Sequence, residues 1–480
     1  MYGGKWDENM IKFGTGGWRA VIGDEFTKAN VQLLTAAIAR KLKDQGNAAN
    51  GFVIGYDRRF LSKEAAKWAA EVMAGEGILC RLIDRESPTP LIMFTVKYYG
   101  LPYGMAVTAS HNPAIYNGIK VFMEGGRDAD EALTGELEQY IKDIDPMEIK
   151  RISFEDGVRN GLIEMIDPMN QYIDSIIRSI NMDAIRSRNL KIVLDPMYGV
   201  SKTALQTILM TARCNVDVIH ERHDALFGGR LPAPNSKTLT GLTNYVEENH
   251  CDIGIATDGD ADRLGVINDR AEFLHPNKIL VMLYYYLMKF KGWRGAAVRN
   301  IATTHLLDRI AEDFGETCYE VPVGFKYISA KMAETNAIIG GESSGGLTVR
   351  GHIQGKDGIY AASLLVEMIA ATGRSLSEIY SEITDRYGNC EMEESDFRFS
   401  QEEKDKITEI LLSDKRLPDF PYEIEKVSYM DGCKVYFKNK GWIIARFSGT
   451  EPLLRIFCEM PTLEAARETS DILKQFLSLA

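Results

Sequence analysis

The sequence predicts an α/β protein of four domains, three related mixed α/β units with helices on both faces of a sheet and a smaller C-terminal α+β unit. Three observations carry that prediction. A chain of 480 residues is too long for one ordinary hydrophobic core and implies about three or four domains. Short β-rich apolar runs alternate with helix-period runs over most of its length. One element order, closing each time on an apolar strand, a polar or Gly-rich loop and another strand, recurs three times before the pattern changes near Gly373.

The first series has a helix over Ala29 to Asp44 closed by Gly46, the strand FVIGYD and a helix with Ser62 as its cap. The strand ILCRLID, a short helix after Pro90 and two strands flanking Ser110 complete it, and a charged helix near 129–144 follows. The second runs LKIVLDPM, a helix from Ser201, NVDVIH, a helix from about Thr240, CDIGIATD and RLGVIND. The third runs from a helix over KILVMLYYYLMKF through AAVRNIAT, a helix from Thr304, CYEVPV and a helix over FKYISAKMAETN to AIIGGESS and GLTVRG. After the change come a helix near 402–413, strands through KVSYM, CKVYFK, WIIARF and LLRIFCEM, and a final helix. Domains are accordingly expected over 1–150, 165–270, 271–378 and 390–480.

Composition narrows the function classes. With 45% apolar and 26% charged residues the chain reads as soluble and globular. No run approaches the roughly 18 apolar residues of a membrane span, and the first residues lack the apolar core of a signal peptide. Seven scattered cysteines without a CxxC pair argue against a disulfide framework or zinc site and suit a reducing cytoplasm. A net charge of −12 disfavours nucleic acid as a partner, so an anionic ligand needs a locally basic pocket.

Four loops carry unusual polar chemistry. DGDADR sets Asp258, Asp260 and Asp262 at i, i+2 and i+4 behind an apolar strand, a spacing that in an extended loop turns three carboxylates to one side. Such like charges repel unless a cation sits between them, and an all-oxygen donor set points to Mg²⁺ before Ca²⁺ or Mn²⁺. It is not an EF-hand, because the sixth position is Arg263 and the twelfth Asp269. A solvated acidic turn is the bland alternative. In WIIARFSGTEPLLRIF, Arg446, Ser448, Gly449, Thr450 and Arg455 form a set of phosphate donors, or else a plain hairpin turn. The Gly-rich IIGGESSGGLTVRGHIQGKDG matches no nucleotide fingerprint, yet Glu342, Ser343 and Ser344 suit a polyol such as a sugar, with His352 and Lys356 close behind.

The remaining loop, TASHNP, presents Ser110 and His111 together, which turn chemistry alone does not explain. A serine facing a Mg²⁺ site and a phosphate grip can carry a phosphoryl group whose oxygen completes the metal shell. His111 and Lys120 would then serve proton transfer or charge stabilisation. No G-x-S-x-G elbow marks a serine hydrolase.

Together TASHNP, DGDADR, GESSGG, RFSGTEP and the N-terminal KFGTGGWR resemble the α-D-phosphohexomutase superfamily, the phosphoglucomutases and phosphomannomutases, in order and over essentially the whole chain. The resemblance implies four domains around a central cleft, the last smaller and mobile. It implies Ser110 as the phosphoserine, Asp258, Asp260 and Asp262 holding Mg²⁺ with a phosphoserine oxygen, and Arg19 reaching toward that phosphate. Arg263 and Lys120 would stabilise the transferring phosphoryl, Glu342 and Ser344 would bond the sugar hydroxyls, and Lys326 would face the substrate. Arg446, Ser448, Gly449 and Thr450 would grip the non-reacting phosphate.

Where phosphomannomutase-type members often read GEMSGH, this chain has Gly346, while GHIQGKDG is similar to the HIREKDG stretch of phosphoglucomutases. That match gives His111 and Lys356 the acid and base roles and favours glucose over mannose, although GESSGG is not the GEESFG of classical phosphoglucomutases. The implied reaction interconverts glucose 1-phosphate and glucose 6-phosphate through a phosphoserine and glucose 1,6-bisphosphate, in a cytoplasmic monomer or homodimer. Phosphomannomutase and phosphoglucosamine mutase are the alternatives within the superfamily. A Mg-dependent sugar-phosphate phosphatase and a non-catalytic sugar-phosphate-binding protein are those outside it.

Overall fold

A computed structural model describes residues 11–14, 16–448 and 453–479. Gly449 and Thr450 lie outside the described residues. The chain divides into two compact units, one formed by residues 1–279 and 344–377, the other by 280–343 and 378–480.

The larger unit holds two sheets. In the first, the strands run in the order Trp18–Val21, Tyr116–Met123, Tyr103–Val107, Phe52–Tyr56, Cys80–Ile83, Ile163–Ile166. The central strand Phe52–Tyr56 is parallel to both neighbours, pairing Ile54 with Leu82 and with Met105. Its residues are all buried, Phe52 and Ile54 in one apolar cluster with Leu34 and Ala69, Val53 in another with Ile92 and Val96. That two-sided burial explains why the segment is uniformly apolar and not alternating. The last strand pairs with Cys80–Ile83, so the first sheet draws on residues beyond 150. Ser62 is not a cap: Leu61 precedes the helix Ser62–Gly75 in a left-handed conformation (φ 65°), and the Ser62 hydroxyl donates to Asp57 at 2.8 Å.

The second sheet runs Phe273–Leu274, Leu264–Ile267, Ile253–Thr257, Lys191–Asp195, Asn215–Val218. The last three strands are mutually parallel, and Leu264–Ile267 returns antiparallel to Ile253–Thr257. The helix Gly358–Thr372 of this unit is buried from Gly358 to Ala370; Asp357 caps it by accepting from Ile359 N and Tyr360 N, and Gly373 ends it at φ 71°. No single helix among the described residues is long and apolar enough to cross a membrane.

In the smaller unit, Ala297–Asn300 lies parallel between Cys318–Val321 and Ile339–Gly341. An antiparallel sheet runs Glu391–Arg398, Leu453–Met460, Trp442–Phe447, Cys433–Phe437, Ile424–Ser428. The edge strand Glu391–Arg398 is absent from the sequence-based reading, because EMEESDFR buries no residue and carries the charges an edge strand uses to stay unpaired. The helix read near 402–413 is Gln401–Thr408 with a capping box between Ser400 and Glu403, followed by a wider π turn at Glu409–Ser413.

One face of this sheet packs Tyr436, Trp442 and Ile444 on Ile301 and Ala302, and the contact encloses an ionic cluster. Lys434 Nζ donates to the Ile301 carbonyl and, at 2.9 Å, to Glu320, and stands 3.0 Å from His305 Nε2. Arg299 donates to Asp308 and Glu320, and the His305 amide to Glu459. Burial, then the Arg299 and Lys434 cations, push the His305 imidazole down to about 3. As pH falls below about 6.5 the unfolded imidazole takes a proton that the native one refuses, so stability drops by at most about 1.4 kcal/mol per pH unit toward pH 3. The urea midpoint, followed between pH 7 and 4, should therefore fall less steeply in His305→Gln than in the parent. Parallel slopes would show that another group sets the acid limit.

Candidate active site

Most of the sequence-predicted residues lie in the larger unit. Ser110 follows the strand Tyr103–Val107, is fully buried and adopts a left-handed backbone (φ 51°). Its Oγ donates to Asp258 Oδ2 at 2.7 Å and stands 3.3 Å from His111 Nδ1. The carboxylates of Asp258, Asp260 and Asp262 converge, each offering an oxygen within 4.8 Å of the others. They do so by a turn and not, as the spacing suggested, by extended alternation: Ala261 is left-handed (φ 63°), and the Ala261 amide donates to the Asp258 carbonyl at 3.0 Å. Gly259 is needed for this approach, since a Cβ there would lie 2.8 Å from the Ser110 carbonyl oxygen.

Lys120, on the strand Tyr116–Met123, donates to Asp260 and Asp262 at 2.6 Å each, and Lys356 Nζ lies 3.0 Å from Asp262. Thr89 Oγ1 also donates to Asp260, at 2.6 Å. Burial and the two neighbouring aspartates push the Asp258 carboxyl well above the usual range. Burial pushes Asp262 the same way, yet Lys120, Lys356 and Arg263 hold it well below. Burial lowers Lys120 as well, but the Asp260 and Asp262 charges win and raise it. Burial, then the Arg263 and Arg19 cations, holds His111 well below its usual value, so the ring is neutral near pH 7.

Arg19 sits on Trp18–Val21, opposite Gly118, and its Nη1 donates to Asn112 Oδ1 at 2.7 Å. Arg263 Nε is 3.9 Å from Asp262 Oδ1, and its backbone bridges to Gly346. Further bonds from Leu264 N to Gly345 O (3.1 Å) and from Gly358 N to Ala261 O (3.2 Å) bind the Gly-rich segment to the acidic loop. A Cβ at Gly346 would stand 2.3 Å from Lys356 Cδ, so the glycine leaves room for the lysine stem. His352 contacts Asp357, with Nε2 2.6 Å from Oδ2. Ser344, exposed, begins the same stretch of this unit.

The other predicted residues lie in the smaller unit. Glu342 Oε1 accepts from Asn300 Nδ2 (3.1 Å) and Gly324 N (3.2 Å). Lys326 lies in the first turn of the helix Phe325–Thr335, its Nζ 5.2 Å from the Tyr327 ring centroid. Arg446 and Arg455 are direct cross-strand partners; Arg446 Nε is 3.3 Å from Asp431, and Arg455 Nε is 3.7 Å from Asp396. Ser448 N donates to Leu453 O at 2.8 Å.

The donor set fits a hard divalent cation. Asp260 Oδ1 and Asp262 Oδ1 are buried without a hydrogen-bond partner, which is costly unless a cation takes them. Sequence reading missed Thr89. Its SPTP context signals only a helix start with Pro at the first turn, and its partner is 171 residues away.

Family models for the four phosphoglucomutase/phosphomannomutase domains match residues 10–148, 170–271, 275–387 and 389–475, as α/β/α domains I, II and III and the C-terminal domain. A Thermococcus kodakarensis phosphoglucomutase/phosphomannomutase is 29% identical over 460 residues, 95% of this chain and 96% of the relative. A second protein of that organism, provisionally named phosphoglucosamine mutase, is 31% identical over 464 residues, 95% and 96% of the two chains. A crystal structure of a Thermus thermophilus protein provisionally named phosphomannomutase superposes with a TM-score of 0.84 at 29% identity, covering 98% of this chain and 99% of that one.

Fold and relatives together define a phosphohexomutase, an isomerase acting on hexose phosphates. The chain belongs to the phosphoglucomutase/phosphomannomutase family of the α-D-phosphohexomutase superfamily.

Proposed function

We propose that the chain interconverts glucose 1-phosphate and glucose 6-phosphate, with Ser110 as the phosphoryl carrier and glucose 1,6-bisphosphate as the bound intermediate. The observation that carries the reading is Ser110 Oγ at 2.7 Å from Asp258, within the three-aspartate cluster. In the first half-reaction a sugar hydroxyl attacks the phosphorus of phosphorylated Ser110, the bond from phosphorus to Ser110 Oγ breaks, and the hydroxyl proton passes to His111 or Lys356. After the bisphosphate turns over, Ser110 Oγ attacks its other phosphate, and the proton returns to the departing sugar oxygen. Mg²⁺ held by Asp258, Asp260 and Asp262 supplies charge neutralisation for the transferring group when bound.

Lys120, Arg263 and Arg19 share that task, while His111, neutral and 3.3 Å from Ser110 Oγ, is placed to exchange the proton. Arg446 and Arg455 are opposite each other on neighbouring strands and bring two guanidinium groups to the end of the loop. With Ser448, Gly449 and Thr450 they bind the non-reacting phosphate; Glu342, Ser344 and Lys326 meet the sugar.

Glucose is favoured by the likeness of GHIQGKDG to the HIREKDG stretch of phosphoglucomutases, whose lysine corresponds to Lys356, held here beside Asp262 where Gly346 leaves it room. Gly346→Ala displaces the lysine stem and is expected to lower kcat about tenfold in a folded protein; an unaltered kcat would remove Lys356 from the chemistry. ³¹P NMR of the protein with Mg²⁺, a trace of glucose 1,6-bisphosphate and, in turn, the 1-phosphates of glucose, mannose and glucosamine tests the whole reading. Fastest growth of a 6-phosphate signal from glucose 1-phosphate is the expected result. Faster conversion of another sugar moves the assignment to that sugar, and release of inorganic phosphate alone makes the protein a phosphatase.

A further inference from the structure

Beneath the Ser110 loop lies a buried assembly that sequence reading did not single out. The Arg59 side chain has no exposed surface, and its guanidinium donates to four carbonyls of one short segment. Nη2 reaches Ser110 O at 2.7 Å and Asn112 O at 2.6 Å; Nη1 reaches Pro113 O at 2.9 Å and Tyr116 O at 3.0 Å. The guanidinium carbon stands 4.8 Å from the ring centroid of buried Phe227.

Asp57 joins this group to the serine by a second route. Its Oδ2 lies 3.4 Å from Arg59 Nε and accepts from Thr108 Oγ1 at 2.6 Å, while its Oδ1 accepts from Ser62 Oγ. Thr108 Oγ1 in turn accepts from Ser110 N at 2.9 Å. The amide and the carbonyl of Ser110 are thus both tied, directly or through one hydroxyl, to the Asp57–Arg59 pair. Between those ties Ser110 holds its left-handed backbone, a conformation that a non-glycine residue keeps only when its surroundings impose it.

We propose that Arg59, with Asp57 and Thr108, is a positioning device for phosphoryl transfer, holding the Ser110 loop so that the serine oxygen stands at Asp258 in both half-reactions. Neither Arg59 nor Thr108 is assigned a contact with substrate; they act through the backbone of the carrier. Four carbonyls spread over seven residues need the planar, five-donor fork of a guanidinium. An ammonium brings the same charge but three donors from one point. A displacement of about 1 Å at a reacting atom costs on the order of 100-fold in rate, which sets the expected effect.

The inference rests on the phosphoserine reading, so the parent protein is assayed first with the hexose 1-phosphates, Mg²⁺ and glucose 1,6-bisphosphate. No turnover of any of them would overturn that reading itself. With turnover established, Arg59→Lys is compared by kcat, KM and thermal unfolding. A kcat lower by about 100-fold with KM within about twofold, in a protein that keeps its circular dichroism, is the expected result. A kcat within about threefold of the parent, or a loss expressed in KM with kcat retained, overturns the positioning role. Should Arg59→Lys not fold, the near-isosteric Thr108→Val cuts the second tie alone. A kcat about tenfold lower at unchanged KM supports the proposal, and an unchanged kcat overturns it.

Discussion

Ser110→Ala is expected to lower mutase turnover by about 10⁴-fold or more while leaving the fold and substrate affinity close to those of the parent. The size follows from the kind of role. A group that takes the phosphoryl in one half-reaction and returns it in the other has no partial substitute, and alanine offers no oxygen. His111, its neighbour 3.3 Å away, lacks both the position and the bond to Asp258 that the serine oxygen has. The structural cost is small by comparison, since Asp258 keeps the bond that its Oδ1 accepts from Arg263 N at 3.0 Å. Steady-state rates, substrate binding by calorimetry and intact mass after incubation with glucose 1,6-bisphosphate check it together. Turnover within tenfold of the parent, or a phosphorylated alanine variant, would remove Ser110 from the carrier role.

Lys120→Met should produce the largest change in stability, about 3–5 kcal/mol when measured without divalent cation. Lys120 is buried, and its ammonium bonds two of three clustered carboxylates at 2.6 Å each. Methionine matches its volume and removes its charge, leaving Lys356 and Arg263 as the nearer cations against three aspartates. The carboxylates must then take up protons or open to water. On the proposal that Mg²⁺ binds the folded cluster and not the unfolded chain, millimolar Mg²⁺ should recover part of the loss, and more of it than the same addition gives the parent. Urea unfolding with chelator and with Mg²⁺ measures both effects. Equal midpoints for variant and parent in chelator would mean that the cluster does not depend on Lys120.

How much of this was legible without coordinates varies with the range of each interaction. The parallel strand Phe52–Tyr56 was readable because two-sided burial writes a continuous apolar run. The edge strand Glu391–Arg398 was not, because its pairing with Leu453–Met460 is carried by backbone bonds that any side chains permit. Ser62 looks like a helix cap, and it failed as one because Asp57 claims its hydroxyl. The left-handed backbone of Ser110 could not be read, and the bond its carbonyl accepts comes from Arg59, 51 residues away.

The sequence by itself determined the α/β class, the three repeated series and the residue types that make up the candidate site. Those depend on local periodicity and on residue types at short spacing: three carboxylates behind a strand, a serine beside a histidine, arginines flanking a Ser-Gly-Thr stretch. Tertiary structure alone decided the partners. Lys120 meets its aspartates across 140 and 142 residues, and Thr89 meets Asp260 across 171. Arg59, in a plain Asp-Arg-Arg stretch, gathers four carbonyls of the serine loop. Local patterns record what a segment can do, but a buried ion pair or a truss needs two segments at one point in space. Only the packing of the sheets and their helices brings them there.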